Sequence, residues 1–226
     1  MVNGEYTSLK RKLIDIYRAR AKRYDFTANL YYLIGYPEWR YRRLAVNSLD
    51  LRRGDTVVEL GCGTGLNFGL LQERIGPTGQ LIGVDLTDAM LAQAHRRVVD
   101  NGWSNVELVR GDALAYHYPA RLDGVLSTYA LSLIPACDVV IRRAARALDP
   151  GGTLALLELQ IPAGWPDWLV KSAAAILQPF AVTEEWLARQ PWHIIKRTMR
   201  ETLVEVRVEP RYFATTYVIS GRQAAG

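Results

Sequence analysis

Residues 57–67, Val57-Val58-Glu59-Leu60-Gly61-Cys62-Gly63-Thr64-Gly65-Leu66-Asn67, constrain this chain more than any other segment. A β-branched apolar run ends in a carboxylate, three glycines follow at alternate positions, and a helical pattern then begins. Glycine has no Cβ and reaches φ > 0, so such a loop turns sharply and lets a ligand approach its backbone. The helix that follows presents unpaired N–H groups and a partial positive charge. A small molecule with polar or negative groups belongs there.

Spacing narrows the choice of ligand. The dinucleotide fingerprint G-x-G-x-x-G needs a third glycine where this chain has Leu66, and the Gly-Lys-Ser/Thr of a phosphate loop is absent. A second apolar run, Leu81-Ile82-Gly83-Val84, ends in Asp85, twenty residues beyond Gly65. A carboxylate there can accept both hydroxyl hydrogens of a ribose. A third run, Val106 to Arg110, ends in Gly111-Asp112-Ala113. An acid among small residues suits an adenine edge, whose exocyclic amine donates.

Taken in order, these signals resemble the class I S-adenosylmethionine-dependent methyltransferases over roughly residues 20–160. The resemblance implies that Glu59, Gly61, Gly63 and Gly65 cradle the cofactor, that Asp85 takes the ribose and that Asp112 and Ala113 face adenine. Cys62, Asn67, Leu86 and Met90 flank these positions and are counted with the cofactor site. S-adenosylmethionine is the implied cofactor and S-adenosylhomocysteine its product.

The rest of the chain fits one α/β unit. Its 226 residues are 49% hydrophobic and 23% charged, ordinary for a substantial core. Apolar strands alternating with helical patterns imply a parallel sheet. A helix follows Gly65, and another opens at Thr87 or Asp88 and stops at Asn101-Gly102. Strand four is Gly124 to Ser127. The helix after Pro135 places Val139, Val140, Ala144, Ala147 and Leu148 inward, and strand five is Thr153 to Leu159. A Trp-bearing helical region reaches about Phe180, and a further helix covers Glu184 to Arg200. The chain closes with Thr202–Val208 and Tyr212–Ile219, joined through Glu209-Pro210-Arg211, a connection short enough only for antiparallel strands. The expected fold is a doubly wound, Rossmann-like, seven-stranded sheet: five parallel-type core strands closed by a C-terminal antiparallel hairpin. A dehydrogenase would continue with a parallel sixth strand instead. Residues 1–45 are expected to form an amphipathic helical lid, and 46–226 the methyltransferase domain, as a single compact unit.

Ligands in open α/β sheets occupy the crevice at the carboxyl ends of the strands. Ser127, Thr128, Tyr129 and Ser132 follow strand four and belong there; in the family, this segment lies beside the sulfonium and the incoming acceptor. Catalytic candidates are Tyr129, Tyr24 and His117, the only histidine near a strand end. Histidines 95, 117 and 193 show no ligand spacing, so no metal is expected. Tyr6, Leu9, Leu13, Ile16, Tyr17, Ala21 and Tyr24 recur at helical spacing with basic residues between them. They suit a packing helix, a lid whose Tyr17 and Tyr24 hydroxyls touch the cofactor's carboxylate, or a basic helix on an anionic membrane surface. Arg23-Tyr24-Asp25 resembles the approach segment of quinone-methylating members.

Composition limits partners and compartment. The net charge is +5, and residues 1–50 hold ten Lys/Arg against five Asp/Glu. No nucleic-acid-reading module is present, so nucleic acid is not an expected partner. Two cysteines exclude a disulfide scaffold, and neither a spanning segment nor a secretory signal appears. A cytoplasmic protein, peripheral at a membrane at most, is expected. Leu126 to Pro135 looks like its counterpart in bacterial enzymes that methylate lipid head-group amines. The expected reaction is in-line methyl transfer to a lipid head-group amine. The alternatives are a quinone or small-metabolite C- or O-methyltransferase and a non-catalytic cofactor-binding protein of the same fold.

Overall fold

The computed structural model describes residues 2–21, 35–166, 168–170, 172 and 182–225. Tyr24, with the Arg23-Tyr24-Asp25 segment, and most of the Trp-bearing region up to Phe180 lie outside the described residues. In chain order the elements are α1 (Val2–Arg20), α2 (Glu38–Asn47), β1 (Thr56–Leu60), α3 (Phe68–Ile75), β2 (Gln80–Asp85), α4 (Asp88–Asp100), β3 (Val106–Arg110), β4 (Gly124–Thr128), a 3-10 turn at Leu131–Leu133, α5 (Cys137–Ala147), β5 (Thr153–Leu159), α6 (Glu184–Arg189), α7 (Pro191–Thr202), β6 (Val204–Arg211) and β7 (Thr216–Arg222).

The seven strands form one sheet in the order β3-β2-β1-β4-β5-β7-β6. The first five pair in parallel, and β7 runs antiparallel to β5 and β6. The strand order reverses between β1 and β4, the switch point where an open sheet offers its crevice. β1 and β5 are buried on both faces, which is why their sequences are nearly unbroken apolar runs.

Alternate residues supply two cores. Val58, Leu60, Val125, Leu154, Leu156 and Ile219 pack with Val140, Ile141 and Ala144 of α5 and Ile195 and Met199 of α7. Val57, Leu126, Ala155, Leu157 and Val218 pack with Tyr41 and Ala45 of α2 and Phe68 and Leu71 of α3. Each fully buried side chain of this size contributes roughly 1.5–3 kcal/mol relative to exposure.

Three sequence expectations need correction. Val139 points outward at 42% exposure; the inward face of α5 is Cys137, Val140, Ile141, Ala144 and Ala145. The helix from Glu184 is two helices, broken where Gln190 turns left-handed at φ 48° and Pro191 restarts the chain. The hairpin turn is Tyr212 to Thr215 rather than Glu209-Pro210-Arg211. Pro210 lies within β6 opposite Tyr217, a place a residue without an N–H can occupy on an outer strand.

Candidate active site

The glycine loop is fastened to β2. Gly61 and Cys62 donate their N–H groups to the Val84 carbonyl at 2.8 and 3.0 Å. Gly61 and Gly63 have φ of 67° and 55°, values that suit only glycine without strain. Their roles differ. A Cβ on Gly61 would lie 2.3 Å from Cβ of Ala130, so this glycine lets the β1 and β4 loops touch. A Cβ on Gly63 would meet no protein atom within 4 Å, yet Gly63 lines the crevice at the sheet's rim. Its open side faces ligand space.

Two carboxylates border that space. Asp85 accepts the Gly63 N–H on one oxygen and the Thr87 N–H on the other, both at 2.8 Å. Burial raises its pKa, opposed by those backbone hydrogen bonds. Asp112 receives the Tyr6 hydroxyl at 2.9 Å, the Lys10 ammonium at 2.7 Å and the Leu114 N–H at 3.0 Å. Burial would raise its pKa, but the hydrogen bonds from Lys10, Leu114 and Tyr6 hold it below the usual aspartate value. Tyr6, Lys10, Leu13 and Tyr17 thus place one face of α1 over the crevice. Arg18 fastens the same helix to Asp88 through two hydrogen bonds, at 2.9 and 3.1 Å. Beneath α1 the cavity is about 120 Å³, below the roughly 300–1,000 Å³ of small-molecule sites.

A buried polar network backs the loop. Asn67 donates to Glu59 at 2.6 Å and to Thr128 Oγ1 at 3.0 Å. Arg42 donates to Thr128 Oγ1 at 2.8 Å and to Asn67 at 3.2 Å, and pairs with Glu38 at 2.6 Å. Both lone pairs of the Thr128 hydroxyl are therefore taken, leaving it only a proton to give. Thr128 lines the crevice. Burial lifts Glu59 to about 7, against the Asn67 hydrogen bond and Arg42. Its second oxygen is buried without a partner.

Tyr129 follows immediately, at φ 57°, a conformation that costs an aromatic residue roughly 1–2 kcal/mol. Its hydroxyl meets that of Tyr36 at 2.6 Å, and Tyr36 meets Thr216 Oγ1 at 2.9 Å. The Arg42 guanidinium sits 5.4 Å from the Tyr129 ring centroid. Burial keeps the Tyr129 phenol well above its ordinary pKa, so near neutrality it can orient a partner but not abstract a proton.

Tyr17, Gly61, Gly63, Asp85, Leu86, Met90, Asp112, Ala113, Thr128 and Tyr129 all line the crevice. Glu59 and Asn67 stand behind it. Cys62 is buried, and Gly65 abuts the Phe68 ring. Ser127 is fully buried with its hydroxyl unpartnered; it lies one residue out of phase with Thr128 and so on the opposite sheet face. Ser132 is held from behind, its N–H by Glu158 at 3.2 Å and its carbonyl by Arg189 at 2.7 Å. His117 is exposed and lines a separate groove with Gln80, Glu107 and Tyr116, so the structure does not bring it to the crevice as a base. No group of three or more metal-binding side chains occurs among the described residues. Sequence reasoning missed Tyr6 and Lys10 on Asp112, although Tyr6 was already on the helical stripe. It also missed Arg42, Tyr36 and Ala130, which carry no local signal.

Residues 57–152 match the family model for a methyltransferase domain. Over this stretch the chain is similar to the class I, S-adenosylmethionine-dependent methyltransferases. Over 154 residues the chain is 30% identical to the ubiquinone/menaquinone biosynthesis C-methyltransferase UbiE of Pseudomonas putida, covering 67% of this chain and 59% of that protein. It is 34% identical over 123 residues to the 2-phytyl-1,4-naphtoquinone methyltransferase of Thermosynechococcus vestitus, covering 54% of each. The chain thus spans about three fifths of the length of the UbiE relative. The methyltransferase fold is shared with an S-adenosylmethionine-dependent methyltransferase from Aquifex aeolicus, at TM-score 0.61, 16% identity, 92% of this chain and 98% of that one. It is also shared with the phosphoethanolamine N-methyltransferase 2 of Haemonchus contortus solved with S-adenosylhomocysteine, at TM-score 0.64, 18% identity, 82% of this chain and 53% of that one.

The residues at this site fit S-adenosylmethionine. Gly63 leaves a place for it that a side chain would fill, and the orphaned Glu59 oxygen lies behind the same loop. Asp85 and Asp112 stand at successive strand ends, β2 and β3, as a nucleoside's two polar edges require.

Proposed function

We propose that this protein transfers a methyl group from S-adenosylmethionine to a hydroxylated ring of the quinol class. The observation that carries the methyl-transfer reading is the open face of Gly63 between the two aspartates. When bound, the cofactor supplies a methyl group already activated on a sulfonium. The protein's own work is then alignment and exclusion of water. In this reading Gly63 and Asp85 hold the ribose side, Asp112 the adenine side, and the Thr128 hydroxyl donates to the remaining polar end. Residues 1–45 act as a lid on the domain formed by 46–226, with Tyr17 on its inner face; the boundary falls inside α2, whose Arg42 belongs to the domain's own network.

The quinol reading is favoured over the amine one by the crevice wall beyond β4. Tyr129, Ala130, Leu131, Leu133 and Ile134 form it, an apolar surface with one hydroxyl and no carboxylate to attract an ammonium. Of the relatives above, one is named for ubiquinone/menaquinone biosynthesis and the other for a naphthoquinone, which agrees. The Tyr129 hydroxyl, held by Tyr36, orients the ring oxygen. The test is transfer of isotopically labelled methyl from S-adenosylmethionine to a demethylated naphthoquinol, a phenol and an ethanolamine head group in parallel, read by mass spectrometry. Label in the naphthoquinol supports the proposal. Label in the amine alone restores the head-group reading, and cofactor binding with no label in any acceptor indicates a non-catalytic binder.

A further inference from the structure

The hairpin turn between β6 and β7 carries local backbone strain. Tyr212, Phe213 and Ala214 are left-handed in succession, with φ of 44°, 53° and 59°. No glycine relieves them, and each such residue costs roughly 1–2 kcal/mol. The turn is held by Thr215, whose N–H and hydroxyl both donate to the Tyr212 carbonyl, at 3.0 and 2.7 Å, and by Gln160, whose amide donates to the Ala214 carbonyl at 2.7 Å. What this delivers is the Phe213 ring, 84% exposed to solvent. Persistent strain that exposes an apolar side chain points to an external contact.

The surroundings say what kind. Thr216, which ends the turn, pairs with Leu159 at the carboxyl end of β5, so Phe213 stands on the same rim as the crevice. Trp39 lies in the first turn of α2, three residues after Tyr36, whose hydroxyl reaches Tyr129 at that rim, and Trp168 follows in sequence after β5. Among the described residues these three are all the exposed aromatic side chains, Trp39 at 39% and Trp168 at 69%. A ladder of edge-on rings runs inward from the tip: Phe213 to Tyr212 at 5.3 Å, then Tyr212 to Tyr36 at 5.0 Å. Charge is sorted in the same way. Residues 1–50 carry the whole excess of five positive charges, and the rest of the chain holds 18 basic and 18 acidic residues. Exposed Arg11 and Lys12 of α1 and Arg40 and Arg43 of α2 belong to that excess; α1 lies over the crevice, and α2 begins at the rim next to Tyr36.

We propose that this rim docks on an anionic lipid bilayer, with Phe213 entering the interface and the basic outer face of α1 and first turn of α2 against the head groups. Aromatic tips among arginines and lysines suit that boundary, where rings sit at head-group level and basic residues meet anionic lipid. A second copy is disfavoured as the occupant, since two such rims would bring like charges together. The docked face is the one that carries α1 over the crevice, so a lipid-borne acceptor would reach the rim without crossing water. The surface itself does not depend on which acceptor is methylated.

The test is co-sedimentation of the full chain with vesicles of phosphatidylcholine alone or mixed with phosphatidylglycerol, at low and high salt. Phe213→Ser and a paired Arg11→Gln, Lys12→Gln variant are compared, with S-adenosylhomocysteine binding as the control for folding. The proposal expects binding only to the anionic vesicles, weakened by salt, and roughly tenfold or more weaker in Phe213→Ser, about the contribution of one buried aromatic ring. Absence of vesicle binding by the wild type at low salt overturns it, as does equal binding by wild type and Phe213→Ser. A shift of Phe213→Ser from dimer to monomer in gel filtration also overturns it, assigning the face to a second copy. None of these readouts needs turnover, so they stand apart from the methyl-transfer test.

Discussion

Asp85 and Gly63 are joined directly: the carboxylate at the end of β2 accepts the backbone N–H of the loop's middle glycine at 2.8 Å. The acid therefore shapes the loop as well as lining the crevice. Asp85→Ala leaves that N–H and the Thr87 N–H without their acceptor. Calorimetry with S-adenosylhomocysteine should show a loss of about 1–3 kcal/mol in affinity, the cost of an unsatisfied buried group. Unchanged affinity would place the cofactor elsewhere.

The two loop glycines should fail in different ways. Gly61→Ala forces a Cβ into Ala130, so the melting temperature should drop by several degrees or the chain should fail to fold. Gly63→Ala meets no protein atom and pays only the left-handed strain, about 1–2 kcal/mol. It should still fold while losing cofactor binding. Thermal melts read beside calorimetry separate the two; a Gly63→Ala protein that binds normally contradicts the assignment of its open face.

Thr128→Val removes the acceptor shared by Asn67 and Arg42 and the one proton the hydroxyl has left. Stability should fall by about 1–3 kcal/mol and cofactor affinity with it. Thr128→Ser should keep both. Chemical denaturation of the pair checks this, since a purely steric role predicts the reverse ranking.

Tyr6 and Lys10 hold Asp112, the carboxylate proposed to face adenine. Tyr6→Phe and Lys10→Met release it, and S-adenosylhomocysteine should bind a few-fold more tightly and associate faster in stopped flow. Weaker binding in both variants would show instead that α1 clamps over a seated cofactor.

Glu158 and Glu59 give stability a definite slope with pH. Burial lifts each from 4.5 to about 7 in the folded chain. The folded state thus holds protons that the unfolded state has lost, so stability is full below 4.5 and declines as pH rises through 7. Each unit of displacement is worth about 1.4 kcal/mol. Glu158→Gln should remove its share of the slope, seen as a smaller difference between urea midpoints at pH 5 and pH 7.5. An equal slope in the variant rules the group out.

What was legible in the sequence follows from what is local. The glycine spacing, Asp85, Asp112 and the strand sequence β1 to β5 are each written within ten residues, and the sheet places them as expected. The amphipathic stripe from Tyr6 to Tyr17 was readable too, and it lies over the crevice. Contacts that depend on packing between distant elements were not readable. Arg42 lies 86 positions from Thr128, and Tyr36 lies 180 from Thr216. Ser127 and Ser132 were assigned by proximity along the chain, but strand alternation and the 3-10 turn send them away from the crevice. Gln190 broke a helix because Pro191 cannot continue one, a signal present but overridden by the apolar period around it.

The outer strand β6 carries an irregularity between Val204 and Arg207 and a proline at position 210. A foreign strand sliding alongside would find one amide missing and the repeat of donors and acceptors interrupted. Such interruptions guard against unwanted assembly. On this flank the sheet is sealed against fibrillar growth, and concentrated protein should precipitate, if at all, by routes other than cross-β stacking through β6.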